Sequence, residues 1–221
     1  MASVAGWSQQ QGYHYHCIGD KLFDWVTLGL RAKLQDRKPI LADLARLRWI
    51  ESELAVRGGL VVWIDADTLV VDPTWHIPDW THTFFGEECW VQRTAEGAWR
   101  AFQSPHNAFM GFTAASPVLG FLVYLSESII ERADTAHIAP QMVGPKLLKA
   151  LNNLAQFTLV PEAGAVSPEL LAEWVGEAGP ATACYEQAAR APLALVNLCS
   201  SLTHSEEAVQ RAEQFLARHR G

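Results

Sequence analysis

The sequence predicts an α/β fold, a sandwich of helices around a mainly parallel central sheet. Strand-like and helix-like segments alternate along the chain without internal repeats. One of them, Leu60-Val61-Val62-Trp63-Ile64, is a continuous apolar run rich in β-branched residues and too short for a helix, as expected of a strand buried on both faces. With 221 residues, 49% of them apolar and 19% charged, the chain is long and apolar enough to bury one full core. A single domain over residues 1–221 is therefore expected, with residues 1–175 as its core and 176–221 as a loop and C-terminal segment.

Taken in order, residues 13–18 alternate and are β-prone, which predicts a short strand, and a helix follows over about 21–35. Pro39 suits the first turn of a second helix that runs to Arg57 and is stopped by Gly58-Gly59. The apolar strand comes next and is the candidate central strand. Weaker strand signals lie at 83–85, 90–92 and 108–112. Helices are expected over 117–132, 145–155 and 168–175, a strand over 157–160, and a loop over the Ala-, Gly- and Pro-rich stretch 176–192.

A formal net charge of −7, from 24 acidic and 17 scattered basic residues, argues against a nucleic-acid partner. No apolar run approaches the roughly 18 residues of a transmembrane helix, and the first residues lack a basic region followed by an apolar one, so a cytoplasmic protein is expected. Cys17, Cys89, Cys184 and Cys199 lie too far apart in sequence for a C-x-x-C zinc or dithiol pattern and are expected to be reduced.

Asp65-Ala66-Asp67 directly follows the apolar strand, and open α/β sheets place ligands at that end. If the strand continues through them, residues two apart face the same way and both carboxylates address one point. Two close carboxylates repel unless a positive charge intervenes, and oxygen-only ligands suit Mg²⁺ or Mn²⁺, which would neutralise a diphosphate leaving group. Solvated aspartates capping a strand are the plainer alternative. In the preceding helix Ile40, Leu44, Leu47, Ile50 and Leu54 form one apolar stripe, with Asp43 in its middle. Either Arg46, at i+3, pairs with that carboxylate, or Asp43 lies in the first turn and faces the positive end of the helix dipole.

The Asp43-x-x-Arg46 helix, the Gly58-Gly59 turn and the Asp65-Ala66-Asp67 strand end resemble, in order and spacing, the signature of the DXD sugar-transferases of glycosyltransferase family 32. Asn107-Ala108-Phe109-Met110 and the stretch from Val143 to Leu148 are similar to two weaker family segments. The resemblance covers roughly residues 7–155 and implies a GT-A-like, Rossmann-like sandwich. It implies a metal-dependent hexosyltransferase acting with retention on a UDP- or GDP-hexose and an unknown acceptor. Asp65 and Asp67 would then hold Mn²⁺ or Mg²⁺ and the diphosphate, Asp43 and Arg46 the donor sugar, and Asn107 the sugar or acceptor side. Gly144 and Lys146, at a helix start, are candidate phosphate contacts, and His204 is a candidate third metal ligand.

The departures from the family pattern are a short stretch before Asp43 and Trp63 in place of a frequent tyrosine, which keep a non-catalytic nucleotide-sugar-binding relative in view. The stretch from Ile64 to Leu69 also resembles the first motif of haloacid-dehalogenase-like phosphatases, in which the first aspartate is the nucleophile. Those enzymes need a late acidic pair, whereas Asp134 is the one aspartate after Asp79 here.

Overall fold

The computed structural model describes residues 2–34, 37–78, 82–134, 137–176 and 179–199, together with residue 214. The fold is mixed α/β and its sheets are mixed in direction, which corrects the mainly parallel sheet expected from the sequence. The larger sheet has the strand order β1 (Leu60–Ile64), β4 (Trp99–Thr113), β3 (Thr83–Arg93) and β5 (Thr158–Val160). β4 runs antiparallel to both β1 and β3, and only β3 and β5 are parallel. The smaller sheet sets β7 (Leu195–Asn197) between an antiparallel β2 (Thr68–Val70) and a parallel β6 (Ala163–Ala165).

The helix before β1 forms as its stripe predicts. This helix, α3 (Lys38–Arg57), has Pro39 in its first turn and buries Ile40, Leu44, Leu47, Ile50 and Leu54 against Phe85, Met110 and Phe112 of the larger sheet. Gly58 and Gly59 end it at φ 66° and 69°, a left-handed conformation that glycine adopts without a Cβ penalty. β1, however, is not central. Among the described residues Leu60–Ile64 pairs with β4 alone and forms an edge of the larger sheet.

The chain before α3 differs from its reading. A helix that the sequence pattern does not announce, α1 (Ala2–Gln10), buries Val4 and Trp7, and the Trp7 indole donates to the Trp75 carbonyl at 2.8 Å. Residues 13–18 join neither sheet. In place of one helix over 21–35 stand a 3-10 segment, Gly19–Trp25, and α2 (Leu28–Lys33), separated where Val26 turns extended at φ −103°, ψ 136°.

The weak signals at 83–85 and 90–92 belong to one eleven-residue strand, β3, with a register shift between Phe85 and Gly86. It forms a hairpin with the fifteen-residue β4, closed around Gly97 at φ 85°. Helices α4 (Leu119–Arg132), α5 (Pro145–Ala155) and α6 (Pro168–Val175) stand close to expectation. The expected loop at 176–192 contains α7 (Pro180–Ala188). It packs against α6, β3 and β4, and its Ala181 joins one apolar cluster with Leu69, Val71, Trp174, Val196 and Leu198, so the core continues past residue 175. Among the described residues no helix is long and apolar enough to cross a membrane.

Candidate functional site

The turn that follows β1 connects the two sheets. The Asp65 amide still donates to the Ala108 carbonyl at 2.9 Å, but the strand ends there and Asp65–Thr68 closes as a turn through Thr68 N–H to the Asp65 carbonyl at 3.1 Å. The two aspartates therefore do not share a strand face, as the sequence reading supposed. Each is held by a different part of the fold.

Asp65 belongs to a buried ionic network. Arg46, on α3, directs Nη1 to Asp65 Oδ1 at 3.1 Å and to the Asn107 carbonyl at 2.9 Å, and Nη2 to Asp43 Oδ1 at 3.3 Å. The Asn107 side-chain amide donates to the same Asp43 oxygen at 2.7 Å. Trp63, on β1, donates its indole N–H to Asp65 Oδ1 at 2.5 Å and offers its ring face to the Arg46 guanidinium at 5.5 Å. Asp43 and Arg46 are 7% and 8% exposed, so neither charge has water to share and both depend on these partners. Of the two readings of Asp43, the structure selects the pair with Arg46. Asp43 is the sixth residue of α3 and lies beyond its first turn.

Burial pushes the Asp43 carboxyl up to about 6, against the lowering effects of Arg46 and the Asn107 hydrogen bond. Arg46 is held above its ordinary range by Asp65 and Asp43, which outweigh the opposing effect of its own burial. Gly144, the residue before α5, closes the network. A Cβ built on it would lie 2.4 Å from Asp43 Oδ2 and 2.8 Å from Asn107 Nδ2, so the backbone approaches that carboxylate more closely than a side chain allows.

Asp67 faces the smaller sheet. Its Oδ1 accepts from the Asn197 side-chain amide at 2.6 Å, and its carbonyl accepts from Leu198 N–H at 3.1 Å. Asn197 in turn accepts from the Cys199 amide at 3.0 Å, and Cys199 adopts a left-handed backbone at φ 47°. Burial, then the negative fields of Asp67, Glu88 and Asp65, push the Cys199 thiol up to about 12, so it is a poor nucleophile.

Beneath the network lies His106, 3% exposed. Its Nδ1 accepts from Ala108 N–H at 3.2 Å, which leaves Nε2–H to donate to the Ala163 carbonyl at 2.9 Å. Both ring nitrogens are thus satisfied in the neutral tautomer, and burial holds its pKa below the usual histidine range. Gly86 makes room for this ring, since a Cβ there would lie 2.2 Å from Nε2 and 2.4 Å from the Ala163 oxygen.

Of the residues singled out from the sequence, Asp43, Arg46, Asp65, Asn107 and Gly144 come together, and Asp67 lies at the same turn. Lys146 does not join them. Its side chain is exposed, its amide donates to the Gln141 carbonyl at 3.2 Å, and Pro145 beside it has no N–H. His204 lies outside the described residues. Sequence reading gave no role to Trp63 beyond an aromatic near the site and missed His106, Asn197 and Cys199. Asn197 could have been noticed, because it ends a short apolar run in the same way that Asp65 ends Leu60–Ile64.

The donor set at the turn fits a hard divalent cation in kind. Asp65 and Asp67 present carboxylate oxygens only. Among the described residues no cluster of three or more His, Cys, Asp or Glu could hold a metal ion. No protein-family model, curated protein sequence or solved structure matches this chain.

Proposed function

We propose that the chain is a GT-A-type, metal-dependent glycosyltransferase that moves a hexosyl group from a UDP- or GDP-hexose to an acceptor, with retention. The observation that carries this reading is the convergence of sequence-distant segments on one buried network. Asp43 and Arg46 of α3, Asp65 at the end of β1, Asn107 of β4 and Gly144 before α5 meet there, and those are the segments through which the sequence resembles family 32.

In this reading Asp65 and Asp67 hold Mn²⁺ or Mg²⁺, which supplies Lewis-acid neutralisation of the departing diphosphate. Arg46 fixes the Asp65 carboxylate from behind, and its charge keeps Asp43 and Asp65 from repelling each other across the network. The Trp63 indole holds the Asp65 carboxylate from a second direction. By the resemblance to family 32, Asp43, oriented by Asn107, and Arg46 would hold the donor sugar.

Arg46 already neutralises part of the acidic charge in the way a cation would. That observation favours, as the second reading, a nucleotide-sugar-binding protein without turnover. Incubation with a panel of UDP- and GDP-sugars and Mn²⁺ separates the two. Slow, metal-dependent release of nucleotide from one donor supports the transferase, and binding without release supports the second reading. Absence of both binding and release excludes the two together. A phosphatase would instead cleave simple phosphomonoesters with Mg²⁺ and become phosphorylated on Asp65.

A further inference from the structure

A cavity of about 1250 Å³ lies beside β1, and each of Leu60, Val61, Val62, Trp63 and Ile64 lines it. Successive strand residues point to opposite faces, so a cavity bounded by all five lies at the open edge of the strand and straddles both faces. Asp65 N–H bonds to the Ala108 carbonyl in register with the β1–β4 ladder. Antiparallel bonded pairs alternate, so Val61 and Trp63 spend their backbone groups on β4, while Leu60, Val62 and Ile64 turn N–H and C=O toward the cavity.

The rest of the lining defines a slot. Residues 12–19 form the wall opposite β1, Leu22 and Trp49 close one side, and Val4 and Trp7 of α1 close the other. The two sides continue existing core. Val61 and Trp63 pack with the cluster that contains Leu22 and Trp49, and Val62 and Ile64 with the cluster that contains Val4 and Trp7. β1 itself contains no lysine, proline or bulge, the devices that normally keep an exposed strand from pairing.

An apolar small molecule would satisfy the side chains but leave the outward backbone groups dry and unpaired, which is costly. Only another extended peptide supplies hydrogen bonds along the edge together with apolar groups above and below it. We propose that the slot between β1 and residues 12–19 receives one extended strand of a partner protein, apolar on both faces. It pairs through its backbone with Leu60, Val62 and Ile64.

The test uses a fluorescein-labelled peptide with an apolar core of Val and Ile, carrying a lysine at each end to keep it in solution. Binding should raise its anisotropy, and amide exchange at Val62 and Ile64 should slow by about tenfold or more. The same peptide N-methylated at alternate residues should not bind. Val62→Pro, which removes an outward N–H and leaves the bonded pairs with β4, should weaken binding by about tenfold, and Val62→Thr, which keeps the N–H, should bind as the original. Circular dichroism and melting establish that each variant is folded. Absence of binding to the folded protein, equal binding of the N-methylated peptide, or protection of the same two amides by self-association without peptide would each overturn the proposal.

Discussion

Gly144→Ala tests the packing of the buried network without reference to any activity. The added Cβ would lie 2.4 Å from Asp43 Oδ2, 1.0 Å inside an ordinary 3.4 Å contact. Asp43 cannot swing away freely, because Asn107 and Arg46 hold its other oxygen and its side chain is buried. Overpacking alone costs about 1–3 kcal/mol, and breaking a buried ion pair costs about 3–5 kcal/mol. Partial displacement of Asp43 therefore places the loss at roughly 2–4 kcal/mol, or a fall in melting temperature of roughly 5–15 °C for a domain of this size. Thermal melting by circular dichroism measures it. Gly120→Ala is the control, since a Cβ on this exposed α4 residue meets nothing within 4 Å, and it should be neutral or stabilise by about 0.5–1 kcal/mol. Combining Gly144→Ala with Asp43→Ala should cost less than the sum of the two, because the clashing oxygen is gone. A melting temperature within about 1 °C of the parent for Gly144→Ala would refute the close approach, and strict additivity would show that Asp43 is not what Gly144 accommodates.

Arg46→Met removes the cation that bridges Asp43 and Asp65, and urea titration at neutral pH should show a loss of about 3–5 kcal/mol. The Asp43 carboxyl is raised in the folded state from 3.8 to about 6, so the native protein binds more protons than the unfolded chain between those values. The stability that Asp43 contributes is thus full below pH of about 4 and is lost as pH rises through about 6, and Asp43→Asn should flatten that part of the stability–pH curve. Gly86→Ala forces a Cβ against the His106 ring and the Ala163 backbone oxygen, neither of which has room to move, and melting should show a loss at least as large as that of Gly144→Ala.

How far the sequence discloses this molecule differs by scale. Local periodicity suffices for α3 and β1, because a stripe of five apolar residues closed by two glycines has few other solutions. It says nothing about which strand lies beside which, and the antiparallel β4 takes the place where a parallel neighbour of β1 was expected. β4 itself is read only over 108–112, because its first half is half-exposed and polar and contains Pro105. In the site, the Asp43–Arg46 pair is visible as an i, i+3 spacing, whereas Asn197 reaches Asp67 across 130 positions that no local pattern relates. The turn at Asp65–Thr68 was missed because an apolar run marks where a strand lies, not where its ladder stops. Residues 13–18 carry a strand-like alternation yet lie in neither sheet, and they form the far wall of the cavity beside β1.

The proposed activity requires that Asp65 and Asp67 bind a cation together with a nucleotide diphosphate. Calorimetric titration of UDP and GDP, with and without Mn²⁺, into the parent protein and Asp67→Asn measures this. The parent should bind at least one nucleotide about tenfold or more tightly with Mn²⁺. Asp67→Asn should lose that increment while melting close to the parent, since the substitution keeps an oxygen to accept from Asn197. Equal Mn²⁺-dependent affinity in the two proteins, or no Mn²⁺-dependent affinity in a folded parent, would contradict the proposed metal site.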